Sequence, residues 1–234
     1  MNNTQYVKAQ YQSTENLEVR SAVWRPDVDG REPQDVAVEA IRGVAPKEVL
    51  EVGAGRGSLA KRIVENVSSK VVAIDSSSAM VDASRALGVE SLVADVRELP
   101  FPDNSFDVVV AAWMLYHVNP LERAFSEIVR VLRPGGRLVA ITNGREHLAE
   151  LWSLVGERHL EPPFSRENGV QWLETVFTRV QRHDVATHAV FQDRGVAGAY
   201  LASVDRLDLV ARLPEDGWPR SMPGATSVFV ADLV

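Results

Sequence analysis

The sequence predicts an α/β fold, in which a mostly parallel, doubly wound sheet is covered by helices on both faces. Apolar runs rich in Val and Ile recur along the chain and lack the polar alternation of a half-exposed strand. Such runs are typical of strands that are buried on both faces. Helical patterns between the runs indicate repeated β/α units. Strands are predicted at residues 49–52, 70–75, 89–95, 106–113 and 136–142.

The loop after the first of these strands carries glycine at every second position. Gly53, Gly55 and Gly57 interrupt an apolar run, and a helical pattern follows them. Glycine adopts a positive φ without strain and lets the backbone come close to a bound molecule. The N–H groups at the start of the following helix can face polar or anionic atoms. This segment therefore predicts a ligand-binding loop.

Carboxylates close the next two predicted strands. Asp75 ends the second strand, about 20 residues after the glycines, where nucleoside-binding α/β folds place the acid that binds two ribose hydroxyls. Asp95 ends the third strand. In a doubly wound sheet, ligands bind at the carboxyl ends of the strands. The loop and the acids together predict a nucleoside site at that edge.

These motifs resemble those of class I S-adenosylmethionine-dependent methyltransferases, of the small-molecule type grouped with ubiquinone and menaquinone biosynthesis. The resemblance covers residues 6–144 and depends on the order of five motifs. They are Glu51-x-Gly53-x-Gly55-x-Gly57, Asp75 at its strand end, Ala94-Asp95 followed by Leu99-Pro100-Phe101, Phe106-Asp107 with its strand into Tyr116-His117, and Leu132-Arg133-Pro134-Gly135-Gly136.

The resemblance implies a Rossmann-like, seven-stranded sheet, mostly parallel with an antiparallel edge strand, within one methyltransferase domain spanning residues 1–234. Two late apolar runs, at residues 185–191 and 226–231, would supply the antiparallel edge. The implied division is an N-terminal helical lid (1–45), a cofactor-binding core (46–144), and substrate-facing helices with the final strands (145–234). Tyr6 and Tyr11 would bring an aromatic ring over the cofactor, and a packing role for them is equally open.

The implied cofactor is S-adenosylmethionine, with S-adenosylhomocysteine as product. Glu51 would bind near the methionine amino group, Asp75 the ribose hydroxyls and Asp95 the adenine amino group. Met80 would flank the adenine ring, although packing of its own helix explains it equally well. The residues that the resemblance assigns to the cofactor are Glu51, Gly53, Ala54, Gly55, Gly57, Asp75, Ser76, Met80, Asp95, Val96 and Ala112.

Candidates for catalysis and acceptor binding follow the fourth and fifth strands. Trp113 and Tyr116 would contact the acceptor, although Trp113 is also suited to cap the core. His117 is a candidate base, with helix packing as its alternative, and His147 is a second, with a solvated helix start as its alternative. Methyl transfer is an in-line displacement that depends on positioning. It needs a general base only where the attacking atom must lose a proton.

Three other functions stay open. A nicotinamide-dependent enzyme is disfavoured because its fingerprint is Gly-x-Gly-x-x-Gly, whereas here the third glycine comes one residue earlier. A non-catalytic S-adenosylmethionine-binding protein remains possible. An RNA or protein methyltransferase is the third alternative, and a nucleic-acid substrate is disfavoured because the formal net charge is −7 and the arginines are scattered. Nucleic-acid enzymes usually carry a basic face.

Composition sets the remaining expectations. With 234 residues, 45% of them hydrophobic, the chain can bury a full core, and the absence of cysteine excludes disulfides and thiolate metal sites. No apolar run approaches the ~20 residues of a membrane span, and the first residues lack the pattern of a signal peptide. We therefore expect a soluble cytoplasmic monomer or homodimer that holds no metal, acts on a small-molecule acceptor and does not bind nucleic acid.

Overall fold

The computed structural model describes residues 14–26, 30–158 and 161–234. Helices and strands alternate through the centre of the chain. The strands are β1 (Trp24–Pro26), β2 (Glu48–Val52), β3 (Lys70–Asp75), β4 (Glu90–Val93), β5 (Phe106–Ala112), β6 (Leu132–Asn143), β7 (Arg179–Phe191) and β8 (Arg220–Asp232). The helices are α1 (Glu15–Ala22), α2 (Pro33–Arg42), α3 (Ser58–Asn66), α4 (Ser78–Ala86), α5 (Leu121–Val131), α6 (Ala149–Leu154), α7 (Gly169–Leu173) and α8 (Arg194–Ser203), with short 3₁₀ helices at Leu115–His117 and Leu207–Arg212.

The strands form one sheet in the order β1-β7-β8-β6-β5-β2-β3-β4. The strands from β6 to β4 in this order are parallel to one another. Strand β8 is antiparallel to both of its neighbours, β6 and β7. The predicted fold class, a mostly parallel doubly wound sheet with an antiparallel part at one edge, is confirmed.

The predicted number of strands, seven, is corrected to eight within the described residues. The additional strand is β1, which pairs antiparallel with β7 so that Trp24 lies opposite Ala189. The sequence suggests a break at this point because of Pro26. Proline lacks an N–H donor but is tolerated in a strand at the edge of a sheet. Strand β1 occupies that edge, so the proline ends the strand without preventing it.

The core lies on both faces of the parallel strands. Alternate residues of β2 point in opposite directions, since Val49 packs under α2 and α3 while Leu50 packs under α5. The same alternation continues along β3, β5 and residues 138–141 of β6, which are apolar at nearly every position. Burial of both faces explains why these strands could be identified as continuous apolar runs.

Strands β7 and β8 are longer than the apolar runs at residues 185–191 and 226–231 indicate. They pair antiparallel along their full lengths, from Arg179 opposite Asp232 to Phe191 opposite Arg220. The first half of β7 is polar and mostly exposed. Hydrophobic patterning therefore detects only its buried half, although backbone pairing continues past it.

Local signals define the starts of two helices next to the sheet. Pro33 occupies the first turn of α2, where its missing N–H costs no hydrogen bond. The backbone N–H of Glu32 donates to Asp35 Oδ2 at 2.8 Å, which is half of a capping box. Helix α4 begins after Ser77, whose Oγ accepts a hydrogen bond from the Met80 N–H at 3.4 Å. No helix among the described residues is both long and apolar enough to cross a membrane.

Helix α5 anchors the segment that follows β4. Glu127 accepts a hydrogen bond from the Leu99 N–H at 2.8 Å, and Arg130 donates to both carboxylate oxygens of Glu127, at 2.9 and 2.8 Å. Arg130 also donates to the Leu99 carbonyl at 3.0 Å. Hydrogen bonding from Arg130, and then from Leu99, lowers the pKa of Glu127 from 4.5 to about 2. This network fixes the chain just beyond Asp95.

We predict that Glu127→Gln lowers the free energy of unfolding by about 1.5–3 kcal/mol at pH 7, the range for a hydrogen bond to a charged group. The native pKa lies below the usual one, so this stability is present above pH 4.5 and is lost as the pH falls towards 2. Denaturant unfolding at several pH values measures the difference. Glu122→Gln, at an exposed position on the same helix, is the control, and an equal loss in both variants would contradict the anchor.

Candidate active site

A cavity of about 450 Å³ lies at the carboxyl ends of the parallel strands. Small-molecule sites in proteins have volumes in this range. Its walls come from the glycine loop, the ends of β3 and β5, the segment after β4, and helices α1 and α2. The lining residues are Leu17, Ser21, Gln34, Glu51, Gly53, Ala54, Gly55, Arg56, Ser58, Leu59, Ile74, Asp75, Ser76, Ala94, Asp95, Val96, Arg97, Ala112, Trp113, Met114, His117 and Val118.

The glycine loop passes close to the segment after β5. Gly53 has a φ of +65°, and a Cβ added there would lie 2.7 Å from Cβ and Cγ of Met114. Gly55 also has a positive φ, of +53°. The Ala54 N–H donates to the Ile74 carbonyl at 2.9 Å, which ties the loop to β3. The first two glycines therefore allow the loop to turn with a positive φ, and Gly53 also allows the loop to pass close to Met114.

Asp75 organises this loop. Its Oδ2 accepts a hydrogen bond from the Gly55 N–H at 2.8 Å, and its Oδ1 accepts one from the Ser77 N–H at 2.9 Å. Burial raises the pKa of Asp75, and hydrogen bonds from the backbone of Ser77, Gly55 and Ser76 oppose that rise. The carboxylate thus connects the glycine loop with the start of α4 while it lines the cavity.

Glu51 has a buried oxygen without a hydrogen-bond partner among the described residues. The residue is 2% exposed and lines the cavity, and its Oε2 is the oxygen in question. Burial, together with the nearby charge of Asp75, raises the pKa of Glu51 from 4.5 to about 8, against an opposing hydrogen bond from the Ala60 backbone. A buried acceptor without a partner is costly. This oxygen is therefore suited to bind a donor on a ligand in the cavity.

Two residues assigned to the cofactor lie outside the cavity. Met80 is fully buried, because the first turn of α4 directs its side chain into the core. Gly57 precedes α3 with a φ of +78°, and a Cβ there would lie 2.1 Å from Ser84 Oγ. This glycine therefore serves the contact between loop and helix. Ser76, Asp95 and Val96 line the cavity, as do the other assigned residues.

The end of β5 turns sharply into the cavity. Ala112 and Trp113 both line it, and Trp113 has a φ of +53°, which is unfavourable for a residue with a Cβ. The indole N–H of Trp113 donates to Asn143 Oδ1 at 3.2 Å, and Thr226 Oγ1 donates to the same oxygen at 3.0 Å. The amide of Asn143, at the end of β6, thus holds the indole in place.

His117 is the candidate base that reaches the cavity. Burial, and secondarily the charge of Arg20, lowers the pKa of His117 from 6.5 to about 4, so its imidazole is neutral at pH 7. Tyr116 does not line the cavity. Its ring contacts that of His117, with centroids 4.4 Å apart, and packs against the core. The short 3₁₀ helix therefore directs one of these two neighbours inward and the other away.

His147 lies away from the cavity. It is 7% exposed, its Nδ1 accepts a hydrogen bond from the Ala225 N–H at 3.3 Å, and its ring lies 4.8 Å from that of Trp24. The expectation of a solvated helix start is wrong for this residue, because it packs between β1 and β8. Tyr6 and Tyr11 lie outside the described residues. The described part of the chain has no group of three or more His, Asp or Glu side chains able to hold a metal ion.

Several lining residues escape detection in the sequence. Helix α1 contributes Leu17 and Ser21, α2 contributes Gln34, and Arg97 follows Asp95 by two positions. Arg56, between the second and third glycines, forms an ion pair of 2.9 Å with Glu18 of α1. The amphipathic pattern of a helix shows that one face is covered but does not show which cavity it meets. The position of Arg97 next to a motif acid is the one local signal.

Comparison with known proteins agrees with this geometry. Residues 50–140 match the family model described as a methyltransferase domain. An uncharacterized methyltransferase of Mycobacterium tuberculosis is 38% identical over 155 residues, which cover 64% of this chain and 61% of that protein. A demethylmenaquinone methyltransferase of Thermus thermophilus is 37% identical over 118 residues, covering 47% of this chain and 52% of that protein. The chain thus matches between half and two thirds of the length of these relatives.

The fold is shared more widely than the sequence. The crystal structure of the [4+2]-cyclase SpnF superposes with a TM-score of 0.65 at 21% identity, covering 97% of this chain and 94% of that one. Taken together, the fold and the cavity define an α/β protein with a doubly wound sheet and a ligand-sized cavity at the carboxyl ends of its parallel strands. Over residues 50–140 the chain is similar to methyltransferase domains, so the predicted resemblance to methyltransferases is confirmed.

We predict that Glu51→Gln stabilises the protein without ligand at pH 8 but not at pH 4.5. The native pKa of about 8 lies above the usual 4.5, so stability falls as the pH rises through this interval, and glutamine does not titrate. Urea unfolding of both proteins at several pH values measures the effect. Glu48→Gln, at the other end of β2, is the control. A difference for Glu51→Gln that does not change with pH would contradict the buried acid.

Gly53→Ala should destabilise the protein more than Gly88→Ala does. Both glycines have a positive φ, of +65° and +82°, so each substitution costs about 1–2 kcal/mol for the left-handed backbone. A Cβ at Gly88 meets no atom within 4 Å, whereas one at Gly53 meets Met114. Overpacking at Gly53 adds about 1–3 kcal/mol. Denaturant unfolding of both variants measures the difference, and equal losses would refute the close approach.

Proposed function

We propose that this protein transfers a methyl group from S-adenosylmethionine to a small-molecule acceptor in the cavity. The observation that carries the proposal is the pair of acids under the glycine loop. Asp75 fixes the Gly55 N–H, and Glu51 presents an oxygen without a partner among the described residues. A donor-rich ligand such as a nucleoside that carries an amino acid would satisfy both acids, which explains why a buried acid stands there.

The proposed cofactor roles follow from the positions in the cavity. Asp75 accepts hydrogen bonds from the ribose hydroxyls, as acids at this strand end do in nucleoside-binding folds. Glu51 accepts from the methionine amino group. Gly53 and Gly55 let the backbone approach the ligand closely. Asp95 accepts from the adenine amino group, with Val96 beside it. We infer no cofactor contact for Met80 or Gly57, because neither residue lines the cavity.

S-adenosylmethionine, when bound, supplies an electrophilic methyl group on a sulfonium. The residues of the chain then need to orient the acceptor and exclude water. Trp113 and Met114 form the wall at the end of β5, and Leu17 of α1 covers the glycine loop, with its Cδ1 3.4 Å from a Cβ built on Gly55. Asn143 fixes the Trp113 indole through its hydrogen bond. These contacts give the acceptor a largely apolar, preformed wall.

His117 sets the proton chemistry that the site can perform. With a pKa of about 4, its imidazole stays neutral and can accept a hydrogen bond from an acceptor hydroxyl or amine. A base this weak removes a proton poorly from a group with an ordinary pKa. We therefore infer that His117 orients the acceptor and that the preferred acceptors attack without prior removal of a tightly held proton, as neutral amines and electron-rich ring carbons do.

Two observations support the proposed class of acceptor: the name of a relative and the apolar residues that line the cavity. The Thermus thermophilus relative is named a demethylmenaquinone methyltransferase, and the wall here carries Trp113, Met114, Val118 and Leu17. We propose a flat, largely apolar acceptor, for which a reduced naphthoquinone is the first probe. We also propose residues 46–144 as the cofactor-binding part and residues 1–45 as the lid of one domain. Residues 145–234, expected from the sequence to face the substrate, line no part of the described cavity.

Calorimetric titration tests the cofactor. We expect S-adenosylmethionine and S-adenosylhomocysteine to bind and NAD not to bind. Asp75→Asn should weaken binding by about 10-fold or more, because a hydrogen bond to a charged group is lost. Asp82→Asn, which changes an exposed acid on α4 outside the cavity, should leave binding unchanged. Preference for NAD, or equal losses in both variants, would overturn the proposal.

Transfer itself is tested with radiolabelled methyl groups and reduced naphthoquinones, phenols and amines as acceptors. Appearance of label in a small molecule supports the proposal, and label in RNA or protein would replace the acceptor class. The cyclase with the same fold shows that the fold alone does not fix the reaction. Tight cofactor binding with no transfer to any acceptor would therefore favour a protein that binds the cofactor without donating its methyl group.

A further inference from the structure

Arg97 holds the carboxylate of Asp95 from several directions. The Arg97 backbone N–H donates to Asp95 Oδ1 at 2.9 Å, and its Nε donates to Oδ1 and Oδ2 at 3.0 and 3.2 Å. Its Nη2 donates to Oδ2 at 2.6 Å. Both residues line the cavity. A guanidinium that engages both oxygens fixes the plane of a carboxylate, which a single ammonium group cannot do.

The same guanidinium connects two walls of the cavity. Arg97 Nη1 donates to the Asn119 carbonyl at 2.7 Å. Asn119 follows His117 and Val118, which also line the cavity. The Arg97 carbonyl in turn accepts a hydrogen bond from Arg123 Nε of α5 at 2.9 Å. Through Arg97, the position of Asp95 is therefore fixed relative both to its own loop and to the loop that follows β5.

The side chains of Arg97 and Asp95 are 30% and 43% exposed, so solvent screens this ion pair and limits what it adds to the stability of the fold. Hydrogen bonding to Asp95 raises the pKa of Arg97, so the guanidinium stays charged throughout the ordinary pH range. The main effect of the charged Arg97 guanidinium is therefore to orient the Asp95 carboxylate at the cavity wall, and its contribution to fold stability is the smaller one.

We propose that Arg97 is a positioning residue that aims Asp95 at the exocyclic amino group of the bound nucleoside and so sets the selectivity for adenine. The inference rests on the proposed function, because it assumes an adenine at this end of the cavity. Arg97 acts through Asp95 and makes no selective contact of its own. The selectivity of the site consequently depends on a residue outside the five motifs.

The test compares S-adenosylhomocysteine with its hypoxanthine analogue, in which an oxygen replaces the adenine amino group. Calorimetry gives the ratio of their dissociation constants. The wild-type protein should prefer the adenine ligand by about 10- to 100-fold, as expected for a hydrogen bond to a charged acceptor. Arg97→Gln should reduce the preference to a few-fold, and Arg97→Lys should restore it only partly. Arg85→Gln, on α4 outside the cavity, should preserve it.

A double-mutant cycle separates positioning from direct contact. In the Asp95→Asn background, Arg97→Gln should leave the ratio unchanged. A ratio that is unchanged by Arg97→Gln in the wild-type background overturns the inference, and so does an effect that persists without Asp95. A variant that only destabilises the fold would weaken the binding of both ligands equally and leave the ratio of their dissociation constants unchanged. Failure of the wild-type protein to bind S-adenosylhomocysteine would instead remove the proposed function, and the inference with it.

Discussion

The hydrogen bonds that Asp75 accepts are the constraint on which the site depends. One carboxylate holds the Gly55 N–H and the Ser77 N–H, so the loop after β2 and the helix after β3 are fixed relative to each other. The parallel pairing of β2 with β3 brings these two segments to the same edge. Backbone pairing therefore brings the glycine loop and the start of α4 to the same edge, and the hydrogen bonds to Asp75 fix their distance from each other. Strand pairing and these hydrogen bonds together form this part of the cavity wall.

Much of this arrangement is predictable because its causes are local. A strand buried on both faces is visible as a continuous apolar run, and β2, β3 and β5 are identified on that basis. Glycines that need a positive φ and an acid at a strand end are also local features. Once parallel pairing is inferred, the meeting of Asp75 with the glycine loop follows from the geometry of the sheet.

What sequence reasoning missed depends on contacts between distant segments. Tyr116 is next to the lining residue His117, and Met80 is in the helix that follows Ser76, but the helical positions of both residues direct them into the core. His147 is covered by Trp24, more than a hundred residues earlier, through a strand that the proline conceals. The polar half of β7 is strand because β8 pairs with it, not because of its own side chains. None of these facts leaves a pattern within a short window.

Helix α1 covers one wall of the cavity without joining the core. It contributes Leu17 and Ser21 to the lining, yet none of its residues is buried. Its attachments are polar: Glu18 pairs with Arg56, and Arg20 Nε donates to the Ser203 carbonyl at 3.1 Å. Separating such a helix exposes little apolar surface, so we expect this wall to open at a lower free energy than the buried sheet does. Exchange of a ligand is thereby uncoupled from unfolding of the sheet that binds it.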